Sequence, residues 1–164
     1  MKKGKMQMRK QKGFSLIEML IVVAIILIIA AIAIPNLMRA RMAANEASAV
    51  GSVRTINEGE ISYSSNFPNN GFAPNLAALG GVCTGNNAPT PTASCLIDNS
   101  LAQGNKQGYN FAAPPVGNQP FPAYTVTADP VSPGQSGQRH FFSDESTVIR
   151  ANPSTNATVN DSPI

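Results

Sequence analysis

The sequence predicts an α+β protein, with one long N-terminal helix, apolar in its first half, packed on a small antiparallel sheet. Two patterns carry that reading. An apolar run over residues 14–34 passes directly into an Ala-rich stretch with helical spacing, and short runs of period-two alternation gather after residue 108. Size bounds the rest: 164 residues, 43% hydrophobic and 6% aromatic with no Trp, and 13 Gly and 13 Pro, suit one modest, loop-rich domain.

The helix begins as FSLIEMLIVVAIILIIAAIAI, residues 14–34, whose polar members are Ser15 and Glu18. A helix of this length rises roughly 31 Å, about the hydrocarbon thickness of a bilayer. Six of the 12 basic residues (Lys2, Lys3, Lys5, Arg9, Lys10, Lys12) precede it, with no acid among them. Such a block stays on the cytoplasmic side, so the span orients the remainder outward. Without residues 1–13, six basic residues face nine acids and the formal charge moves from +3 to −3. The basicity therefore belongs to a short terminal block, and nucleic-acid binding by the folded body is not supported.

Two plainer readings of the span compete. A secretory signal peptide also starts with basic residues, and Ala31-Ile32-Ala33 resembles its cleavage site, but such apolar cores run about 7 to 15 residues and do not usually carry a carboxylate. A simple anchor accounts for length and flank, yet leaves Glu18 as a cost of roughly 2.5 to 3.5 kcal/mol on insertion scales.

Beyond Pro35, Ala43, Ala47, Val50, Val53 and Ile56 recur at intervals of three and four, so the helix is expected to run from about Phe14 to Tyr63 and to pack through that face. Pro35 lacks an N–H and crowds the Ala31 carbonyl, which predicts a kink there; Gly51 and Gly59 are expected to be further soft places. Ser64, Ser65 and Asn66 before Pro68 are read as its end. Residues 66–107 form a loop region with single helical turns near Leu76–Leu79 and within 96–102. Strands are expected at 109–112, 123–128, 139–142 and 147–150, the last two joined by a turn at Asp144-Glu145. Residues 152–164, polar and bearing Pro153 and Pro163, read as a flexible tail.

The junction Lys12-Gly13-Phe14-Ser15-Leu16-Ile17-Glu18, with its basic leader, following apolar span and Pro35, closely resembles the signal of type IV pilins and type II secretion pseudopilins. The resemblance is strong over residues 9–60, with weaker echoes at residues 137–142 and 147–150. It implies removal of a leader, residues 1–13, by a prepilin peptidase cutting between Gly13 and Phe14, and N-methylation of Phe14. It also implies a pilin fold: a filament-core helix half at 14–34, an amphipathic half at 35–65, and a sheet at 108–151. The implied partners are like subunits in a homopolymer, an inner-membrane platform protein and an assembly ATPase. The implied locations are the inner membrane before assembly and an extracellular or periplasmic filament after it. A pilus and a secretion pseudopilus both fit.

Electrostatics agrees with that role for Glu18. Cutting after Gly13 removes six cations and creates one ammonium at Phe14. A carboxylate in low dielectric is tolerated beside such a cation. Pairing with a neighbouring subunit sets both charge and axial register; Phe14 and Glu18 are also i and i+4 within one helix, so an intrachain pair competes.

Cys83 and Cys95 enclose an eleven-residue stretch rich in Gly, Asn, Thr and Pro. As an even pair in an extracytoplasmic domain they are read as a disulfide, because a metal site needs more ligands than two thiols. The family pattern instead fastens the C-terminal region. Asp129, Asp144 and Glu145, the local candidates for calcium, are too sparse and read as turn residues. No metal or cofactor is expected. Catalysis lacks a base-and-nucleophile set: the sole histidine, His140, stands in a strand beside Phe141 and Phe142. No aromatic residue falls between Phe14 and Tyr63, so the helix encodes no aromatic path for electrons. The alternative from another class is a membrane-tethered binding or sensor module, which predicts an uncut N-terminus and no filament.

Overall fold

The computed structural model describes residues 13–81 and 88–164. Helix α1 (Leu16–Asn66) is continuous through Pro35, and the chain divides into two compact units, one ending at Leu37 and the other comprising Met38–Ile164. The helix outlasts its expected end for a local reason. The Ser64 and Ser65 hydroxyls donate back to the Ile61 carbonyl at 3.0 and 2.9 Å, and the Phe67 N–H closes the last turn on Tyr63 at 2.9 Å before Pro68 stops it.

In the second unit, α1 buries Ala49, Ser52, Val53, Ile56, Asn57, Gly59, Glu60 and Tyr63. Val53 and Ile56 belong to the expected face and Val50 is half-buried, but Ala43 and Ala47 are exposed. The buried stripe is shifted because it admits Ser52, Asn57 and Glu60, polar residues that an apolar-periodicity reading discards. Gly59 is not a soft place: a Cβ there would lie 3.1 Å from Ile97 Cγ2, so the missing side chain lets the 96–97 segment approach the helix closely.

Two single-turn helices follow, α2 (Leu76–Leu79) and α3 (Asn99–Ala102), each opened by a side-chain cap. Asn75 Oδ1 accepts from the Ala78 N–H at 2.9 Å and Asp98 Oδ1 from the Leu101 N–H at 3.0 Å. The sheet contains β1 (Asn105–Lys106), β2 (Tyr109–Ala112), β3 (Pro115–Val116), β4 (Ala123–Pro130), β5 (His140–Asp144) and β6 (Arg150–Asn152). Its order is β1-β2-β4-β5-β6 with β3 also on β4, and every pairing is antiparallel. The two-residue strands β1 and β3 are too short to leave a periodic signal.

β6 begins three residues later than expected. Asp144 organises a longer turn, accepting from the Thr147 N–H at 2.8 Å through its carbonyl and from the Ser146 N–H at 3.0 Å through its carboxylate, with Thr147 at φ 60°. The hairpin itself pairs His140 with Asn152, Phe141 with Ala151 and Phe142 with Arg150.

The segment read as a flexible tail is instead folded back on β6. Ala151 N–H donates to the Ser162 carbonyl at 3.1 Å, Ile164 N–H to the Ile149 carbonyl at 3.0 Å, and Ala157 is buried. Backbone pairing at a sheet edge requires no apolar sequence, which is why composition misread it.

Inside, α1 meets the buried side of the sheet, where β4 and β5 alternate strictly between buried and half-buried residues. Tyr63, Tyr109 and Tyr124, all the tyrosines of a chain without Trp, are fully buried with Ile56, Val126, Leu79, Leu101 and Phe141. Each hydroxyl donates a hydrogen bond: Tyr63 to the Pro91 carbonyl (2.8 Å), Tyr109 to the Arg139 carbonyl (2.9 Å), Tyr124 to Asn57 Oδ1 (3.2 Å).

Candidate functional site

The first unit presents an apolar helix whose side chains are exposed among the described residues. Its most apolar 18-residue window has a mean hydropathy of 3.2 and no buried residue. Leu16, Met19, Leu20, Val23, Ala24 and Leu27 line one continuous shallow face. Leu16 is 82% exposed and Leu27 62% exposed. Burying each such side chain is worth about 1.5 to 3 kcal/mol, so a surface of this extent belongs against lipid or against other apolar helices rather than water.

Gly13, Phe14 and Ser15 precede the helix as exposed chain without regular secondary structure, and the Met19 N–H donates to the Ser15 carbonyl at 3.3 Å. Nothing among the described residues lies within 4 Å of where a Gly13 Cβ would be, and Gly13 and Phe14 are both exposed. Glu18 is exposed in the first turn of α1, where the unsatisfied N–H groups of the helix favour a negative charge. At Pro35 the Ala31 carbonyl has no helical donor, and the ladder resumes on both sides.

The other residues singled out from sequence belong to the second unit or lie outside the described residues. Cys83 lies outside the described residues. Cys95 is half-buried, and its N–H donates to the Gly80 carbonyl at 2.9 Å. His140 Nδ1 sits 2.6 Å from Asp129 Oδ1, a half-buried pair linking β5 to β4 that the sequence did not suggest. Asp144 is committed to its turn, and among the described residues no group of three or more His, Cys, Asp or Glu is placed to hold a metal ion.

Two acids on α1 carry more structure than their spacing revealed. Glu46 reaches the 131–139 loop: its Oε1 accepts from the Gln138 and Arg139 N–H groups at 2.9 and 3.2 Å, and its Oε2 from Arg139 Nε at 2.7 Å. Burial would raise its pKa, but those donors and the guanidinium charge outweigh it and hold the carboxyl below its ordinary value. Glu60 is fully buried, with Oε2 accepting from the Ala73 N–H at 2.8 Å. Here burial wins and pushes the carboxyl up to about 7, against the pull of that single N–H. The signal for both was positional: each falls within one turn of an apolar residue on the buried stripe, a cue that counting only hydrophobic residues ignores.

An exposed apolar helix long enough to cross a membrane, with a carboxylate in its first turn and continued into an α+β unit, defines a class of chain whose apolar segment suits lipid or other apolar helices. Comparison with known proteins narrows this. Residues 8–34 match the prokaryotic N-terminal methylation motif. The chain is 44% identical over 72 residues to the type IV wide pilus major component PilA4 of Thermus thermophilus, covering 44% of this chain and 53% of that protein. It is 32% identical to the type IV major pilin protein PilA of Myxococcus xanthus over 65% of this chain and 58% of the relative. The chain thus spans between half and three-fifths of the length of these curated relatives. No solved structure matches it. Over the matched part of its length, the chain is similar to type IV pilins.

Proposed function

We propose that the chain is a structural subunit that polymerises with like copies into a type IV pilus filament outside the cytoplasm. The observation that carries this is the exposed apolar helix, whose 18-residue window of mean hydropathy 3.2 has no buried residue among the described residues. The similarity to two named pilins supports it. Lipid satisfies that surface before assembly, with the chain crossing the inner membrane once and its N-terminus cytoplasmic; helices of neighbouring subunits satisfy it afterwards.

In this reading a prepilin peptidase cuts the open backbone between Gly13 and Phe14, and Phe14 is methylated. Glu18, four residues on, pairs with the Phe14 ammonium of a neighbouring subunit. A platform protein and an assembly ATPase extract the subunit from the membrane. Pro35 is the point at which the helix can bend. Cys83 and Cys95 close a loop by a disulfide, a pairing supported by the bond from Cys95 N–H to the carbonyl of Gly80, three residues before Cys83.

The test is to shear surface filaments and determine the mass and N-terminus of their main component. A chain beginning at methylated Phe14 is expected. An intact N-terminus on a chain found only in membranes would instead favour the tethered module.

A further inference from the structure

The two edges of the sheet are finished differently. At one, β1 is two residues long and carries Lys106, ordinary protection for an edge. At the other, β6 is covered by the chain's own residues 161–164, which pair antiparallel with Arg150 opposite Pro163. Pro163 occupies the one position of that pairing that needs no N–H, since the bonds flank it at Ala151 N–H to Ser162 O and Ile164 N–H to Ile149 O. Asp161 fixes the register: Asn152 Nδ2 donates to its Oδ1 at 2.8 Å, and Arg150 Nη1 to its carbonyl at 3.0 Å. Its Oδ2 accepts from the Thr158 N–H at 2.7 Å.

From this we propose that the β6 edge is a strand-acceptor surface for the segment 157–164, able to take that segment from a second copy of the chain as well as from its own. Three observations select this occupant. A second copy's β6 laid on the same edge in the same register would set Arg150 directly opposite Arg150, a like-charge pair, whereas the segment brings Asp161 to Arg150. The connecting residues Pro153, Ser154, Thr155 and Asn156 are all exposed, and Ser154 and Thr155 hydrogen-bond to Asn152 Oδ1 next to them in the chain, so the link can open without dismantling the core. Of the segment itself only Ala157 is buried, while Val159 is 53% and Ile164 55% exposed, so backbone pairing and the Asp161 contacts hold it rather than apolar burial.

The experiment uses the chain lacking residues 154–164, purified in detergent micelles, and a fluorescent peptide of residues 156–164. Saturable binding is expected, weakened about tenfold or more when the peptide carries Asp161→Ala, as loss of a charged hydrogen-bonding centre implies. No saturable binding by a truncated chain that keeps its near-ultraviolet circular dichroism overturns the proposal, as does equal binding of a peptide with the same composition in scrambled order. If truncation unfolds the chain, the full-length Asp161→Ala variant replaces it: the wild-type peptide should displace the weakened segment, read as saturable binding with faster amide exchange at Ile164. Absence of that binding overturns the proposal equally.

Discussion

Glu60 and Ala73 are joined deep in the core: the Glu60 carboxyl accepts the Ala73 N–H at 2.8 Å, and its second oxygen has no hydrogen-bond partner among the described residues. That one bond ties α1 to the loop leading into α2. A carboxyl so placed is better accommodated neutral than charged.

Stability should therefore fall as pH rises through the range from 4.5, its ordinary value, to about 7, its value in the folded chain. In that window the folded state still holds the proton that the unfolded state has released, so unfolding is favoured by each step upward and the loss is complete above it. The total is on the order of 3 kcal/mol by the free energy attached to a shift of this size. Glu60→Gln should flatten the profile and raise the urea midpoint at pH 8. A variant with the same slope as the parent would assign the pH dependence to another group.

Gly137 is buried where a Cβ would come within 2.1 Å of the Tyr109 hydroxyl oxygen. Gly137→Ala forces the Tyr109 ring aside and strains its bond to the Arg139 carbonyl. A loss of about 1 to 3 kcal/mol is expected for overpacking of this kind, read as a lower thermal midpoint with the sheet retained.

The disulfide is checked by mass. Cys83 and Cys95 should together be two hydrogens lighter than free thiols in non-reduced protein, and Cys95→Ser should cost roughly 3 kcal/mol by the loop-closure estimate while leaving N-terminal processing unchanged. Alkylation of both thiols in freshly isolated extracellular protein would refute the pairing.

Glu18 stands in the first turn of α1, in the unit that ends at Leu37, so Glu18→Ala should leave the fold of residues 38–164 intact. The cut at Gly13 and membrane insertion should persist as well. Filaments should not: in the proposed assembly each Phe14 ammonium would lose its partner, at about 3 to 5 kcal/mol for a broken buried pair. Normal filament yield from Glu18→Ala as the sole copy would move Glu18's role to the peptidase or to an intrachain contact.

What could be read from sequence follows the strength of periodic signals. The β2 limits at Tyr109 and Ala112 and the β4 alternation were legible because a single solvent boundary imposes one period on each, and the 14–34 run because it is almost uninterruptedly apolar. Ala43 and Ala47 misled because alanine is equally at home on an exposed helix face, and Ser52, Asn57 and Glu60 were overlooked because polar residues enter a core only when a distant group satisfies them. The fold of residues 152–164 was invisible for a related reason. Its order comes from backbone pairing with β6 and from Asp161, neither of which leaves an apolar mark.

Asn57 has a consequence for how the helix is indexed. Its amide donates to Ser143 Oγ at 2.8 Å on β5 and accepts from the Tyr124 hydroxyl at 3.2 Å on β4, all three residues being buried. Methyl groups such as those of Val53 and Ile56 tolerate a few degrees of rotation about the helix axis with little change in energy, whereas an amide bonded on both sides tolerates almost none. The three side chains therefore act as a rotational key, fixing the angular phase of α1 in the second unit. Replacing the key by an isosteric apolar residue trades that angular precision for grease, and broadened resonances from β4 and β5, rather than unfolding, would be its signature.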